Sequence, residues 1–292
     1  MEVIDAQVHS WETQTTRGWD SAYDALGTDP NNGYTVELAL SAMDAVGVNA
    51  AVLSLPPSYR TLLPDGRFRY DNSYAEEMSL KYPDRIASAA RYRVDDPEIE
   101  ALVAATRSRP GTLCVRCVIR LEDEIAQYKA GVHQRLLTAC ERHQVPLMLF
   151  VSGRPEEAEP IARNFPDLQI IIDHLGLEQP PYGKPTAEPW AKLPSVLALA
   201  KYPNVALKFS GAPSLSRESY PFLDLWPHLC RVIDAFGPDR LMWGSDVTRV
   251  RGLHTYAESL FYLLHSERLS RSDKQKILGA TLRRLLRWQA RA

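Results

Sequence analysis

Polar and apolar residues alternate in the first strand that the sequence predicts. Between residues 4 and 9, Asp5, Gln7 and His9 alternate with aliphatic residues. Because successive side chains of a strand point to opposite faces, we expect these three polar side chains to share one face. A face with an acid, an amide and an imidazole is unusual for a buried strand, so the pattern predicts a site for a metal or a polar substrate.

Seven further apolar segments alternate with segments of helical periodicity along the rest of the chain. The predicted strands after the first span residues 49–55, 86–92, 113–119, 146–151, 168–173, 205–209 and 241–243. The predicted helices span residues 35–46, 72–81, 97–107, 131–143, 155–164, 192–201, 222–236 and 255–264, followed by 270–279 and 281–288. This order predicts an α/β fold, a (β/α)8 TIM barrel, as a single domain over residues 1–292.

An open, doubly wound sheet is the alternative architecture. It requires a glycine-rich phosphate loop after the first strand, and the motif G-x-G-x-x-G is absent from the sequence. Three stretches are predicted to be long βα loops that set specificity, namely residues 11–33, 56–70 and 176–189.

The composition excludes several classes of function. The 292 residues carry a formal net charge of -2, which gives no general attraction to nucleic acid or to anionic membranes. No apolar run approaches the roughly 20 residues that a membrane span requires. Four cysteines predict free thiols in a reducing cytoplasm. Cys114 and Cys117 form a C-x-x-C motif, but a strand places them on opposite faces, which favours core packing over a redox or zinc site.

Polar residues end several of the predicted strands. The active site of such a barrel lies at the carboxyl ends of its strands, where the sequence places His9 (first strand), His174 (sixth) and Asp246 (eighth). Imidazole and carboxylate are ligands of zinc and manganese, and a carboxylate can take a proton from an attacking water molecule. Arg116, on the fourth strand, is predicted to clamp a carboxylate, with an internal ion pair as the alternative.

Four strand-end motifs resemble the amidohydrolase-related family of the amidohydrolase superfamily, and most of all its sugar-lactone and pyrone-dicarboxylate lactonase branch. The motifs are Ile4-Asp5-Ala6-Gln7-Val8-His9-Ser10-Trp11, Asp173-His174-Leu175-Gly176, Lys208-Phe209-Ser210-Gly211 and Trp243-Gly244-Ser245-Asp246. The resemblance implies a barrel with a mononuclear metal site or a reduced version of one. By position, the implied ligands are Gln7, His9, His174 and Asp246.

Gln7 departs from the family pattern, which often has histidine at that position, and the fifth strand, 147–151, also lacks a histidine. An amide oxygen is a poorer zinc ligand than an imidazole nitrogen. Two alternatives therefore stay open, a divalent zinc or manganese ion and a reaction without a metal. No organic cofactor is implied.

The resemblance implies a hydrolase that opens a small, carboxylate-bearing lactone or a related ester. Asp246 is then the general base, and His9 and His174 polarise the carbonyl with or without a metal. The residues expected to bind the substrate are Arg116, Gln7, Ser210, Arg249, Arg217 and Trp11. A nonoxidative decarboxylase of an aromatic or muconate-type acid, a lactone isomerase and a non-catalytic binder are the alternatives, and a homodimer is compatible with the family.

Overall fold

Eight parallel strands form a sheet that curls into a barrel. The computed structural model describes residues 1–12, 33–56, 59–179, 188–250 and 252–289. Its strands are β1 (Ile4–Val8), β2 (Ala50–Ser54), β3 (Arg60–Leu62), β4 (Phe68–Tyr70), β5 (Ile86–Ala90), β6 (Thr112–Val118), β7 (Leu147–Phe150), β8 (Ile170–Ile172), β9 (Val205–Lys208) and β10 (Leu241–Met242).

The barrel strands are adjacent in the order β1, β2, β5, β6, β7, β8, β9, β10, and each neighbouring pair is parallel. A backbone hydrogen bond of 3.1 Å from Ala6 N to Trp243 O joins the two ends of the sheet. The predicted (β/α)8 architecture is therefore confirmed.

Helices cover the outside of the barrel. They are α1 (Val36–Val46), α2 (Ser73–Lys81), α3 (Ile99–Thr106), α4 (Glu122–Lys129), α5 (Gln134–Arg142), α6 (Ala158–Asn164), α7 (Leu193–Ala198), α8 (Trp226–Phe236), α9 (Tyr256–Leu264), α10 (Arg271–Gln275) and α11 (Thr281–Leu286). α1 has the predicted ends, because Thr35 caps its first turn and Gly47 follows its last residue with φ 79°. The sequence pattern did not predict α4.

The stretch 56–70, predicted to be a loop, contains a β-hairpin. β3 and β4 pair antiparallel, with Arg60 opposite Tyr70. Pro64, Asp65 and Gly66 form the turn, and Gly66 adopts φ 82°, a backbone conformation that suits glycine. Of the other two predicted loops, 11–33 and 176–189, residues 13–32 and 180–187 lie outside the described residues.

Apolar side chains fill the inside of the barrel. They are Ile4, Ala6, Ala50, Val52, Ala87, Ala89, Cys114, Met148, Ile171, Ala206 and Met242, joined by Leu282, Leu285, Leu286 and Trp288. Arg283 of α11 pairs with Glu2 at 2.6 Å, so α11 closes the end of the barrel at which the strands begin. The opposite end is left open for a site.

The two cysteines of the C-x-x-C motif lie on opposite faces of β6, as predicted. Cys114 belongs to the interior cluster, whereas Cys117 packs in the outer layer. Both are free thiols. In the part of the chain that the structure describes, no helix combines the length and the apolarity that a transmembrane span requires.

The closure of the barrel by α11 gives a prediction about stability. Leu282 is 1% exposed and packs in the interior cluster, so Leu282→Ala is expected to lower the free energy of unfolding by about 3 kcal/mol. Urea denaturation measures this change. The control Leu80→Ala removes a side chain that is 57% exposed and should cost less than about 1 kcal/mol. Equal losses in the two variants would contradict the assigned role of α11.

Candidate active site

The regular alternation of β1 is interrupted before it reaches the site. Ile4 and Ala6 pack inside the barrel, whereas Val8 packs in the outer layer. The register between β1 and β2 shifts between Asp5 and Val8, as in a β-bulge. The prediction that Asp5, Gln7 and His9 share one face is therefore wrong for Asp5.

Asp5 connects β1 to the segment that follows β10. Its carboxylate accepts hydrogen bonds from Ser245 N at 2.8 Å, from Tyr256 Oη at 2.9 Å and from the Ser245 hydroxyl. Complete burial raises the pKa of the Asp5 carboxyl to about 6, against the opposing effect of the Ser245 hydrogen bonds. Asp5 thus fixes the chain beside Asp246 and does not itself reach the cavity.

Hydrogen bonds fix the ring of His9 and its tautomer. Its Nδ1 lies 2.7 Å from the carbonyl oxygen of Ser54, which can only accept, so Nδ1 carries a proton. The Lys208 ammonium donates to Gln7 Oε1 at 3.1 Å, which directs the amide nitrogen of Gln7 toward His9 Nε2 at 3.4 Å. Nε2 also lies 3.3 Å from Asp246 Oδ1.

Asp246 is held at the end of β10 by the backbone and by an arginine. The residue adopts φ 53°, and its N–H donates to Gln7 O at 3.0 Å. Oδ1 lies 3.3 Å from His9 Nε2, Oδ2 lies 3.5 Å from His174 Nε2, and Oδ2 also accepts from Arg249 Nε. Burial would raise the pKa of Asp246, but Arg249 and the two imidazoles outweigh burial and hold that pKa well below its usual range. The carboxylate is therefore ionised.

His174 directs one ring nitrogen at Asp246 and the other at Ser210. Nδ1 lies 2.9 Å from Ser210 Oγ, and the edge of the ring meets Phe150 with 4.9 Å between centroids. Burial, reinforced by the Arg249 charge, lowers the pKa of His174 to about 3, so the ring is neutral. Nδ1 also lies 3.3 Å from the carbonyl oxygen of Ser210, which can only accept, whereas the carboxylate near Nε2 favours a proton on that atom, so the contacts of the ring are compatible with either neutral tautomer.

A second buried carboxylate, Asp173, lies beside the site. Lys208 Nζ lies 2.8 Å from Oδ1, and Arg116 Nε donates to Oδ2 at 2.9 Å. Burial would raise the pKa of Asp173, but the two cations lower it below its usual range. The internal ion pair, the alternative interpretation of Arg116, is therefore present. The sequence placed Lys208 and Asp173 at strand ends but gave neither a role.

A cavity of about 790 Å³ opens over the trio of His9, His174 and Asp246. Arg116, Arg249 and Phe150 line it next to the trio. Its outer walls come from the hairpin, from the chain after β5 and from the segment around α4; they include Arg60, Phe68, Tyr70, Arg91, Tyr92, Arg93, Arg120, Glu124, Gln127 and His133. The three predicted catalytic side chains therefore converge on one solvent-reachable hollow.

Four residues predicted to bind substrate do not line this cavity. Trp11 is 2% exposed and packs in the outer core, with its ring 6.0 Å from that of Tyr34. Arg217 is exposed, and its backbone N–H donates to Asp224. Ser210 Oγ lies 2.9 Å from His174 Nδ1, and Gln7 Nε2 lies 3.4 Å from His9 Nε2. Arg249 does line the cavity, but it is 1% exposed and binds Asp246.

The chain belongs to the amidohydrolase family, whose sequence profile matches residues 4–288. The L-fucono-1,5-lactonase of Burkholderia ambifaria is 42% identical over 96 residues, which make up 31% of each sequence. The uncharacterised protein y4mH of Sinorhizobium fredii is 38% identical over 91 residues, 31% of this chain and 29% of its own. The chain thus matches less than a third of the length of either relative.

Solved structures share the whole barrel. A zinc-bound amidohydrolase of Burkholderia multivorans has a TM-score of 0.77 and 18% identity, covering 98% of this chain and 99% of its own. A Pseudomonas putida protein described as a 2-pyrone-4,6-dicarboxylic acid hydrolase has a TM-score of 0.71 and 21% identity, covering 99% of each. Manganese-bound 5-carboxyvanillate decarboxylase of Novosphingobium aromaticivorans has a TM-score of 0.58 and 17% identity, covering 86% of this chain and 79% of its own. These TM-scores establish a common fold.

Two of these structures contain zinc or manganese, which raises the question of whether the residues of this chain could hold such an ion. The amide oxygen of Gln7 is engaged by Lys208, and Oδ2 of Asp246 by Arg249. Lys208 and Arg249 thus already bind oxygen atoms that a divalent ion would need as ligands, and their positive charges would repel that ion. Among the described residues, no group of three or more His, Cys, Asp or Glu side chains is arranged to hold a metal. The donor set does not fit a resident divalent ion.

Metal analysis tests this conclusion. The purified protein is expected to contain far less than one zinc or manganese ion per chain, and dialysis against a chelator should leave its hydrolytic rate unchanged, because Lys208 and Arg249 supply the positive charge. Elemental analysis and rates before and after chelation give the two readouts. One tightly bound metal per chain, with activity that falls on removal and returns on addition, would contradict it.

The raised pKa of Asp5 gives a prediction about the pH dependence of stability. The folded chain binds this proton more tightly than the unfolded chain, so its contribution is present below pH 3.8 and lost as the pH rises through about 6. The free energy of unfolding of the wild type, relative to Asp5→Asn, should therefore fall by about 3 kcal/mol from roughly pH 4 to pH 7. Urea denaturation across this range measures the difference.

The matched control for this measurement is Tyr256→Phe. It removes one donor to Asp5 but keeps the carboxyl group, so stability should still fall as the pH rises, at a slightly higher pH because the Tyr256 hydrogen bond lowers the pKa of Asp5. A difference between the wild type and Asp5→Asn that does not change with pH would show that the carboxyl does not titrate as described.

Proposed function

We propose that this protein hydrolyses a small lactone by direct attack of water. The observation that carries the proposal is the position of Asp246, whose carboxylate lines the cavity and lies 3.3 Å from His9 Nε2 and 3.5 Å from His174 Nε2. A carboxylate held ionised at this position can take a proton from a water molecule that enters the cavity. The oxygen lone pairs of that water are then available for attack.

In the proposed reaction, the water oxygen forms a bond to the lactone carbonyl carbon while Asp246 takes a proton from the water. In the tautomer with its proton on Nε2, His174 donates a hydrogen bond to the carbonyl oxygen as that oxygen gains negative charge. The bond between that carbon and the ring oxygen then breaks, and Asp246 returns the proton to the ring oxygen. The product is the open-chain hydroxy acid, and no metal takes part.

The charge of the cavity supports an anionic lactone as the substrate. Its described lining contains six arginines (Arg60, Arg91, Arg93, Arg116, Arg120 and Arg249) and four carboxylates (Asp95, Asp123, Glu124 and Asp246). A cavity with an excess of positive side chains favours a negatively charged ligand. The expected homodimer stays a prediction.

Replacement of the proposed base tests the mechanism. Asp246→Asn keeps the shape of the side chain, and asparagine tolerates the positive φ of this position better than most residues. Because the variant cannot accept the proton, hydrolysis should slow by about a thousandfold across a panel of lactones. The appearance of the hydroxy acid is followed by chromatography.

The control for the Asp246 measurement is Asp44→Asn, which removes a carboxylate that pairs with Arg85 at an exposed position and should leave the rate unchanged. Full activity in Asp246→Asn would exclude this residue as the base. Release of carbon dioxide from an aromatic or muconate-type acid, without hydrolysis of any lactone, would favour the decarboxylase alternative.

A further inference from the structure

Arg91 directly follows β5, and its charged side chain lines the cavity. The residue is 6% exposed, and its guanidinium lies over the ring of Tyr70 at 4.4 Å from the centroid. Nη2 donates to Tyr70 Oη at 3.2 Å, whereas Nη1 is buried and has no hydrogen-bond partner among the described residues. A guanidinium keeps its charge at all relevant pH values.

The backbone of Arg91 is held in place independently of its side chain. Its N–H donates to Asn72 Oδ1 at 2.9 Å, and Asn72 Nδ2 donates to its carbonyl oxygen at 3.1 Å. The stacking on Tyr70 then fixes the plane of the guanidinium. The unpaired Nη1 is therefore part of an ordered arrangement, and the orientation of its N–H groups is set before any ligand binds.

Other arginines of the cavity already pair with carboxylates. Arg93 Nε donates to Asp95 Oδ1 at 2.8 Å, and Arg116 Nε donates to Asp173 Oδ2 at 2.9 Å. Within the described chain, Arg91 makes no such ion pair. A buried charge without a partner is strongly unfavourable, so the position of Arg91 favours a negative group supplied from the cavity.

We propose that Arg91 binds a carboxylate of the substrate, and that the substrate is a lactone with this carboxylate on the side of the ring that faces β5 and the hairpin. This assignment rests on the proposed lactonase function, and it moves the anion clamp from Arg116 to Arg91. Nη1 can donate an N–H to a carboxylate oxygen, and a hydrogen bond between two charged groups is stronger than one between neutral groups. Tyr70 then separates the pair from solvent on one side.

Binding of inert ligands tests the assignment without any turnover. The probes are benzene-1,3-dicarboxylate and its uncharged diamide, which have the same ring and the same substitution. Isothermal calorimetry gives their dissociation constants for the wild type, Arg91→Gln, Arg91→Lys and two comparison variants. Arg93→Gln removes an arginine that Asp95 already neutralises, and Arg116→Gln removes the rival clamp.

Arg91→Gln is expected to weaken binding of the dicarboxylate by about thirtyfold, the loss typical of a charged hydrogen bond, and to leave the diamide unchanged. Arg91→Lys should recover part of the loss, and Arg93→Gln should change either constant less than threefold. Dicarboxylate binding that is absent in the wild type, unaffected in Arg91→Gln, or weakened in Arg116→Gln instead would overturn the assignment. Equal loss of both probes in Arg91→Gln and in Arg91→Lys would overturn it in favour of a structural role.

Turnover of 2-pyrone-6-carboxylate and its carboxamide separates this inference from the proposed function. If the wild type hydrolyses both lactones and Arg91→Gln raises KM for the carboxylate alone, with kcat preserved, both proposals are supported. If the wild type hydrolyses neither lactone nor any other of a wider panel, the proposed function fails, while the calorimetric comparison still decides the role of Arg91.

Discussion

Charge compensation inside the open end of the barrel is the constraint on which the site depends. Asp173 and Asp246 are completely buried, and an isolated carboxylate in such a position would take up a proton instead of remaining charged. Lys208 and Arg116 compensate Asp173, and Arg249 compensates Asp246. The ionised state that a general base needs therefore depends on cations that need not touch a substrate.

The same cations determine which chemistry the two imidazoles can perform. Lys208 binds the oxygen of Gln7, so the nitrogen of that amide faces His9. The rings of His9 and His174 both direct Nε2 toward the Asp246 carboxylate. A divalent ion bound among these groups would displace the contacts of Lys208 with Gln7 and of Arg249 with Asp246.

The sequence predicted the barrel and the convergence of His9, His174 and Asp246, because apolar runs end where each of these residues begins. It did not predict which charges would pair. Lys208 and Gln7 are 201 positions apart, and strand patterns contain no information about contacts across a barrel. The face of Asp5 was predicted wrongly for a local reason, since a bulge shifts the register within β1 and alternation holds only in a regular strand.

The site separates the groups proposed for bond cleavage from those proposed for recognition. The former lie at the ends of β1, β8 and β10, whereas Arg91 and Tyr70 belong to the chain after β5 and to the hairpin. The hairpin is not part of the barrel sheet, because β3 and β4 pair only with each other. Changes at Tyr70 or Arg60 can therefore alter the charge and shape that the cavity accepts while the ion pairs around Asp246 remain in place. A barrel built in this way can hold one hydrolytic arrangement constant while its substrate varies.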